Sequence, residues 1–238
     1  MAIVAVYDAN VLYPGSLRDL LIRLGQTGLL QARWTDHILD EVFDAIVAAQ
    51  PDLGGRLQRT RRLMNEAIPD VRITGYEHLI DTLQLPDPDD RHVLAAAIRV
   101  GADDIVTKNL SDYPAGELEP HRIEAQSPDD FVLRLVESAP ARVIGVIEDQ
   151  ARALSRPPTS RDELLDRLRV VGIPEAVAAI REQLNLGTTR SPLPPHFVRR
   201  YLPPANGTEP TVPTADTDIF SYALTVPNLS VSASIVAR

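Results

Sequence analysis

The stretch Ala2-Ile-Val-Ala-Val-Tyr7-Asp8-Ala-Asn10 decides the fold. A short unbroken apolar run is what a strand buried on both faces of a parallel sheet requires. An acid closes the run at once, and an acid ending a buried strand gains nothing from packing. Two further aspartates stand in comparable places. Asp90 opens Asp90-Arg-His-Val-Leu-Ala-Ala-Ala97, and Asp112 follows the apolar Ile105-Val-Thr107 within Thr107-Lys-Asn-Leu-Ser-Asp112-Tyr-Pro114. In an alternating α/β chain, residues just beyond the carboxyl ends of parallel strands meet in one crevice. Carboxylates gathered there repel one another. A divalent cation relieves that repulsion, and hard oxygen donors suit Mg²⁺ or Mn²⁺. A fourth acid, Glu41, lies in the helical stretch 36–50, at the margin of the face made by Ile38, Val42, Ile46 and Ala49.

Outward from these acids, the pattern predicts alternating elements. Ser16, with Asp19 three residues later, predicts a capping-box start for a helix carrying Leu17, Leu20, Leu21 and Leu24, with Gly28 beyond its end. Thr35 or Asp36 caps the next helix. Residues 52–66 form a helix bearing Arg56, Arg59, Arg61 and Arg62. Residues 71–74 are the candidate second strand, and 75–83 a short helix or turn. Two prolines make 85–89 a loop. Asp89 or Asp90 caps a helix running through Val100 and closed by Gly101. Residues 105–107 and 122–125 are the third and fourth strands. Ser127 at N-cap and Pro128 at N1 start another helix. The order β-α-α-α-β-α-α-β-β-α implies a small, mostly parallel sheet with helices on both faces.

Residues 139–186 carry three helical stretches, 141–154, 160–170 and 174–185, and no strand pattern. They read as an α-helical extension that packs on the first block or on a partner. From 187 Pro, Ser and Thr dominate, so 187–238 reads as a Pro-rich, disordered tail. Within it residues 219–236 are apolar and β-prone, suited to an edge strand or an unstructured end.

The composition narrows the function. A net charge of −9 argues against a general nucleic-acid coating protein, since phosphate binding draws on Lys and Arg. It does not exclude a nuclease, whose catalytic acids add negative charge themselves. With no Cys there is neither a disulfide framework nor a thiolate metal site. No apolar run approaches the ~20 residues that cross a bilayer, and no charged-then-apolar segment precedes the first strand. A soluble cytoplasmic protein is expected.

Tyr7-Asp8-Ala-Asn10-Val-Leu12, Glu41, Asp87-Pro-Asp-Asp90-Arg-His-Val-Leu-Ala-Ala-Ala97 and Val106-Thr107-Lys-Asn109-Leu-Ser-Asp112-Tyr113, in this order and spacing, resemble the PIN-domain ribonucleases. Within that family the resemblance is to the VapC-type toxins of type II toxin–antitoxin modules, in a subgroup with a helical C-terminal extension. It covers about residues 1–138, with a looser match through 186. It implies an α/β, three-layer PIN-like fold, with a small mostly parallel sheet between helices in 1–138 and the α-helical C-terminal extension in 139–186. It implies catalytic acids Asp8, Glu41, Asp90 and Asp112, with Asp8, Asp90 and Asp112 as metal ligands. Asn10, Thr107 and Asn109 are supporting groups. Many family members carry an acid two residues after the Thr, where this chain has Asn109; Asp112 takes that role, as in the subgroup with Thr-x-Asn-x-x-Asp. The implied chemistry is Mg²⁺- or Mn²⁺-dependent endonucleolytic hydrolysis of RNA, and the implied partners are RNA, a cognate antitoxin and a second copy in a homodimer. Arg56, Arg59 and Arg62 are candidate RNA contacts.

Competing readings attach to the same residues. Taken singly, Asp87, Asp89 and Asp90 are helix caps, Asp112 opens a turn and Glu41 is solvated. His92 reads as a helix-surface residue and His37 as a first-turn residue, with no catalytic role for either. Two other functions compete, a degenerate PIN scaffold without catalysis and an aspartate-dependent phosphatase. The phosphatase needs a second acid two residues after its nucleophile, where this chain has Asn10.

Overall fold

The computed structural model describes residues 2–155 and 157–189. The expectations for the tail beyond residue 189, including the apolar segment 219–236, lie outside the described residues.

The chain folds as a three-layer α/β structure. Its elements are β1 (Ile3–Tyr7), α1 (Ala9–Leu12), α2 (Gly15–Gln26), β2 (Leu30–Arg33), α3 (Asp36–Ala49), α4 (Gly54–Ala67), α5 (Glu77–Ile80), α6 (Arg91–Val100), β3 (Asp104–Val106), α7 (Ala115–Leu118), β4 (Glu124–Gln126), α8 (Pro128–Ser138), α9 (Pro140–Ala153), α10 (Arg161–Val170) and α11 (Pro174–Thr189). The sheet order is β2-β1-β3-β4, every pairing parallel. β1 is central, and its last three residues, Ala5 to Tyr7, are fully buried, as an apolar run inside a parallel sheet requires. Tyr7 pairs with Val106 in register, so β1 and β3 end level with each other. That register puts Asp8 and Thr107 side by side at one edge of the sheet.

The second strand is not at residues 71–74. It is Leu30–Arg33, in which buried and outward side chains alternate. Residues 71–74 contribute one isolated bridge, Arg72 to Trp34, held by Trp34 N–H to Val71 O (3.0 Å) and Ile73 N–H to Trp34 O (2.9 Å). Val71 and Ile73 are buried, which produces the strand-like alternation, but a single bridge does not make a ladder. The fourth strand likewise starts at Glu124, because Arg122 sits in the left-handed region with φ 61°.

Local capping signals fare unevenly. Thr35 accepts from Ile38 N–H (3.0 Å), and Ser127 accepts from Asp130 N–H (3.1 Å) with Pro128 following. Ser160 and Glu163 form a full capping box at the start of α10. The box expected at Ser16 and Asp19 does not form. α2 starts two residues earlier, behind Pro14, and Asp19 is buried and pairs with Arg23 at 2.9 Å. Gly101 closes α6 at φ 60°, a conformation that costs a residue with a Cβ.

Tyr7, Trp34 and Phe131 anchor the core. Tyr7 stacks near Trp34 at 6.4 Å and meets Phe131 edge-on at 6.1 Å, which fastens α8 to the sheet. The helices beyond α8 pack on the α/β block. Leu164, Leu168, Ile173 and Ile180 are fully buried. Gln150 donates from Nε2 to Ser16 O at 2.9 Å, and the Asp129 carboxylate caps α11 by accepting from Glu175 and Ala176 N–H at 3.1 and 2.8 Å. Lys108, the one lysine of the sequence, donates from Nζ to Val171 O at 3.0 Å and ties β3 to the α10–α11 turn. α11 runs to Thr189, four residues past the expected end at 185. No described helix is long and apolar enough to cross a membrane.

Candidate active site

Asp8 is fixed by backbone and side-chain bonds together. Its backbone N–H bonds Val106 O at 3.1 Å, continuing the β1–β3 pairing. Asp8 is 4% exposed. Oδ1 accepts from Ala9 N–H at 2.6 Å, which caps α1, and Oδ2 accepts from the Thr107 hydroxyl at 2.7 Å and from Asn10 Nδ2 at 2.6 Å. Asn10 Nδ2 also reaches Thr107 Oγ1 at 2.9 Å, while Asn10 Oδ1 accepts from Lys108 N–H at 2.9 Å. Asn109 joins through its backbone, donating N–H to Thr107 Oγ1 at 3.1 Å. Residues 8–10 and 107–109 thus form one hydrogen-bonded network across two neighbouring strands, and it sets the direction of the Asp8 carboxylate.

Asp90 stands beside it. It occupies the N-terminal edge of α6 but makes no capping bond. The cap belongs to Asp87, which accepts from Asp89 N–H at 2.9 Å. The capping explanation therefore covers Asp87 and not Asp90. Asp112, half-buried in the turn Leu110–Asp112, acts electrostatically on Asp90. Burial, then Asp8, Asp112 and Asp87, push the Asp90 carboxyl up to about 7. Burial is also the main cause that raises Asp8 to about 6, against the Thr107 and Ala9 hydrogen bonds that favour its ionised form. Glu41 adds to the rise of Asp8, so its carboxylate borders the same cluster from α3.

Two residues of this pocket escaped the sequence reading. His92 is buried at 3% exposure, not on the helix surface, and its Nε2 lies 2.9 Å from Glu41 Oε1. Tyr113 is 2% exposed. Its hydroxyl has no hydrogen bond of good geometry among the described residues, and burial next to Asp8, Asp90 and Glu41 raises its pKa well above the usual range. The buried, aromatic partner of a turn acid is a signal that Asp112-Tyr113 carried in its sequence.

The arginines of α4 divide. Arg61 pairs with Asp40 and, at 3.1 Å, with Asp36, which fastens α4 to α3. Arg56, Arg59 and Arg62 are exposed on that helix, Arg62 within 3.7 Å of Glu66.

The donor set fits a hard divalent cation. It consists of carboxylates, and the ionisation of Asp8 and Asp90 is opposed by burial and by neighbouring acids. Such a cation keeps several waters and needs one or two direct carboxylates, so loosely gathered acids suit it. A linkage follows for the cation-free protein. Asp8 and Asp90 have folded pKa values above their unfolded ones, so between about pH 4 and pH 7 the folded chain holds more protons than the unfolded chain. Stability then falls as pH rises through that window. Asp8 alone contributes on the order of 3 kcal/mol, since a tenfold change in proton affinity is worth about 1.4 kcal/mol; half-buried Asp90 contributes less. In EDTA the urea midpoint is expected to be higher at about pH 5 than at about pH 8. A midpoint that climbs between those values contradicts the assignment.

The chain is similar to known proteins in two stretches. Residues 4–111 match the family model described as PIN domain, and residues 128–182 match the one described as VapC50 C-terminal domain. A curated protein of Mycobacterium tuberculosis (strain ATCC 25618 / H37Rv), named "Putative ribonuclease VapC50", is 40% identical over 94 residues, 40% of this chain and 55% of that protein. The chain thus spans about half the length of that relative. No solved structure matches.

Proposed function

From a chain that carries a PIN domain and, after it, a VapC50 C-terminal domain, we propose a metal-dependent endoribonuclease that serves as the toxin of a toxin–antitoxin pair. The observation that carries this reading is the acid cluster at the strand ends. Asp8 and Asp90 are both pushed up towards neutrality, and Asp112 and Glu41 act on them. Burying so much like charge costs stability, and Asp90 has no capping bond to offset it.

Asp8, Asp90 and Asp112 would hold Mg²⁺ or Mn²⁺, with Glu41 completing the site. The bound cation supplies Lewis-acid polarisation of a phosphodiester oxygen and a water of lowered pKa. The chain's own residues do the rest. Thr107 and Asn10 hold the Asp8 carboxylate in one orientation. His92 holds that of Glu41. The side-chain network supplies no activated nucleophile: Asn10, two residues after Asp8, hydrogen-bonds Asp8 and is no general acid, so the phosphatase reading loses its proton donor. Arg56, Arg59 and Arg62 lie on an exposed face suited to RNA phosphates. The same reading puts the protein in the cytoplasm with RNA, an antitoxin and a second copy of itself as partners.

The test is direct. Purified chain is expected to cleave single-stranded RNA on addition of Mg²⁺ or Mn²⁺, and EDTA should stop it. Cleavage that persists in EDTA, or binding of neither cation, would leave the scaffold reading.

A further inference from the structure

We propose that His37, Glu41 and His92 form a second cation site for a borderline transition ion, Zn²⁺ above all, next to the aspartate cluster. His37 Nε2 and Glu41 Oε1 belong to α3 at i and i+4, which puts both on one helix face. His92 reaches them from the first turn of α6. Among the described residues, these three are the group whose donor atoms all lie within 4.8 Å of one another. His92 Nε2 is 2.9 Å from Glu41 Oε1 and His37 Nε2 is 3.8 Å from the same oxygen. Ligands of tetrahedral zinc, each about 2.0–2.2 Å from the ion, stand roughly 3.3–3.5 Å apart. The two observed separations bracket that edge. The imidazoles lie 3.9 Å apart, centroid to centroid, with their planes inclined by 30°. His92 is buried and fixed, whereas the His37 side chain is 53% exposed and able to turn its Nε2 onto an ion.

The donor chemistry separates this site from its neighbour. Two imidazoles and one carboxylate favour zinc, nickel and cobalt; an all-carboxylate cluster favours magnesium and manganese. Excess Mg²⁺ therefore does not compete for the imidazoles. Ligation through Nε2 moves the His92 proton to Nδ1, which is buried and has no partner among the described residues. A ligand histidine usually donates that proton to an acceptor. Its absence makes this a moderate, exchangeable site, not a structural one.

The two sites share Glu41. On the proposed ribonuclease reading, an ion held by His37, Glu41 and His92 draws Glu41 off the aspartate cluster. Zinc then becomes an inhibitor of cleavage.

The experiment uses the full chain in excess Mg²⁺. Zn²⁺ is titrated by calorimetry, and Co²⁺ is followed by the visible absorption of a tetrahedral complex. One equivalent is expected, with binding weakened at least about tenfold in His37→Gln and in His92→Gln, and not weakened in Asp112→Asn, which removes a competitor for Glu41. His37 is exposed, so His37→Gln keeps its fold even if His92→Gln does not. Equal affinity of wild type and His37→Gln overturns the site. In the RNA assay, Zn²⁺ should slow wild type more than His37→Gln; equal slowing overturns the coupling through Glu41. If no preparation cleaves RNA, the ribonuclease reading fails while the zinc and cobalt titrations still decide the site.

Discussion

Asp90→Asn is expected to abolish Mg²⁺- or Mn²⁺-dependent RNA cleavage and, in the same protein without cation, to raise the melting temperature. The two effects have one cause. The Asp90 carboxyl is raised to about 7 by burial, then by Asp8, Asp112 and Asp87. Asparagine removes that charge, and with it a proposed cation ligand and a source of repulsion. A cation held there would contribute several kcal/mol to the transition state, so the rate should fall on the order of a thousandfold. The gain in stability is smaller, about 1 kcal/mol, because Asp90 is half-exposed and solvent screens it. No helix cap is lost, since Asp90 makes no capping bond. Asp8→Asn is expected to be equally inactive without that gain. Oδ1 accepts from Ala9 N–H, and Oδ2 from both Thr107 and Asn10. Whichever way an amide sits there, its NH₂ faces a donor, and a buried donor without an acceptor costs about 1–3 kcal/mol. Wild-type rates in either variant, or an Asp90→Asn protein that melts lower, would sink the reading of the cluster.

Expressed alone, the protein is expected to arrest growth, and a small cognate partner is expected to silence it by placing a basic residue among Asp8, Glu41, Asp90 and Asp112. The attraction is electrostatic. The cluster is a negative crevice walled by buried groups. A guanidinium can replace the cation with several charge-assisted hydrogen bonds. Such a contact is partly buried and resists salt better than a surface pair. The chain's net charge of −9 also favours encounter with a basic segment. The check is co-expression of the neighbouring reading frame, followed by removal of its basic residues one at a time. Growth unimpaired by this chain alone, or an inhibitor indifferent to all its Arg and Lys, removes the toxin reading and leaves a housekeeping ribonuclease.

Strands β1 and β3, the caps at Thr35, Ser127 and Ser160, and the closing Gly101 were legible in the chain itself. So was the presence of acids at Asp8, Asp90 and Asp112. These signals are local: an apolar run, a hydroxyl three residues before an N–H, or a residue without a Cβ acts within one turn of its own backbone. The register of two parallel strands then carries Asp8 to Thr107 without further information. Tertiary packing alone decided the rest. Leu30–Arg33 is four residues at the sheet edge, too short for a periodic signal, and it becomes a strand because β1 offers it a ladder. Residues 71–74 alternate as well and stay outside the sheet. Ser16 and Asp19 had the spacing of a capping box, but Asp19 is buried against Arg23, where it cannot reach back to the helix start. His92 shows the reason most clearly. A one-faced helix would leave it in water, yet residues 92–97 of α6 are all buried. Whether a polar side chain at such a position faces solvent or Glu41 depends on α3, some fifty residues away in sequence, and no pattern within α6 records it.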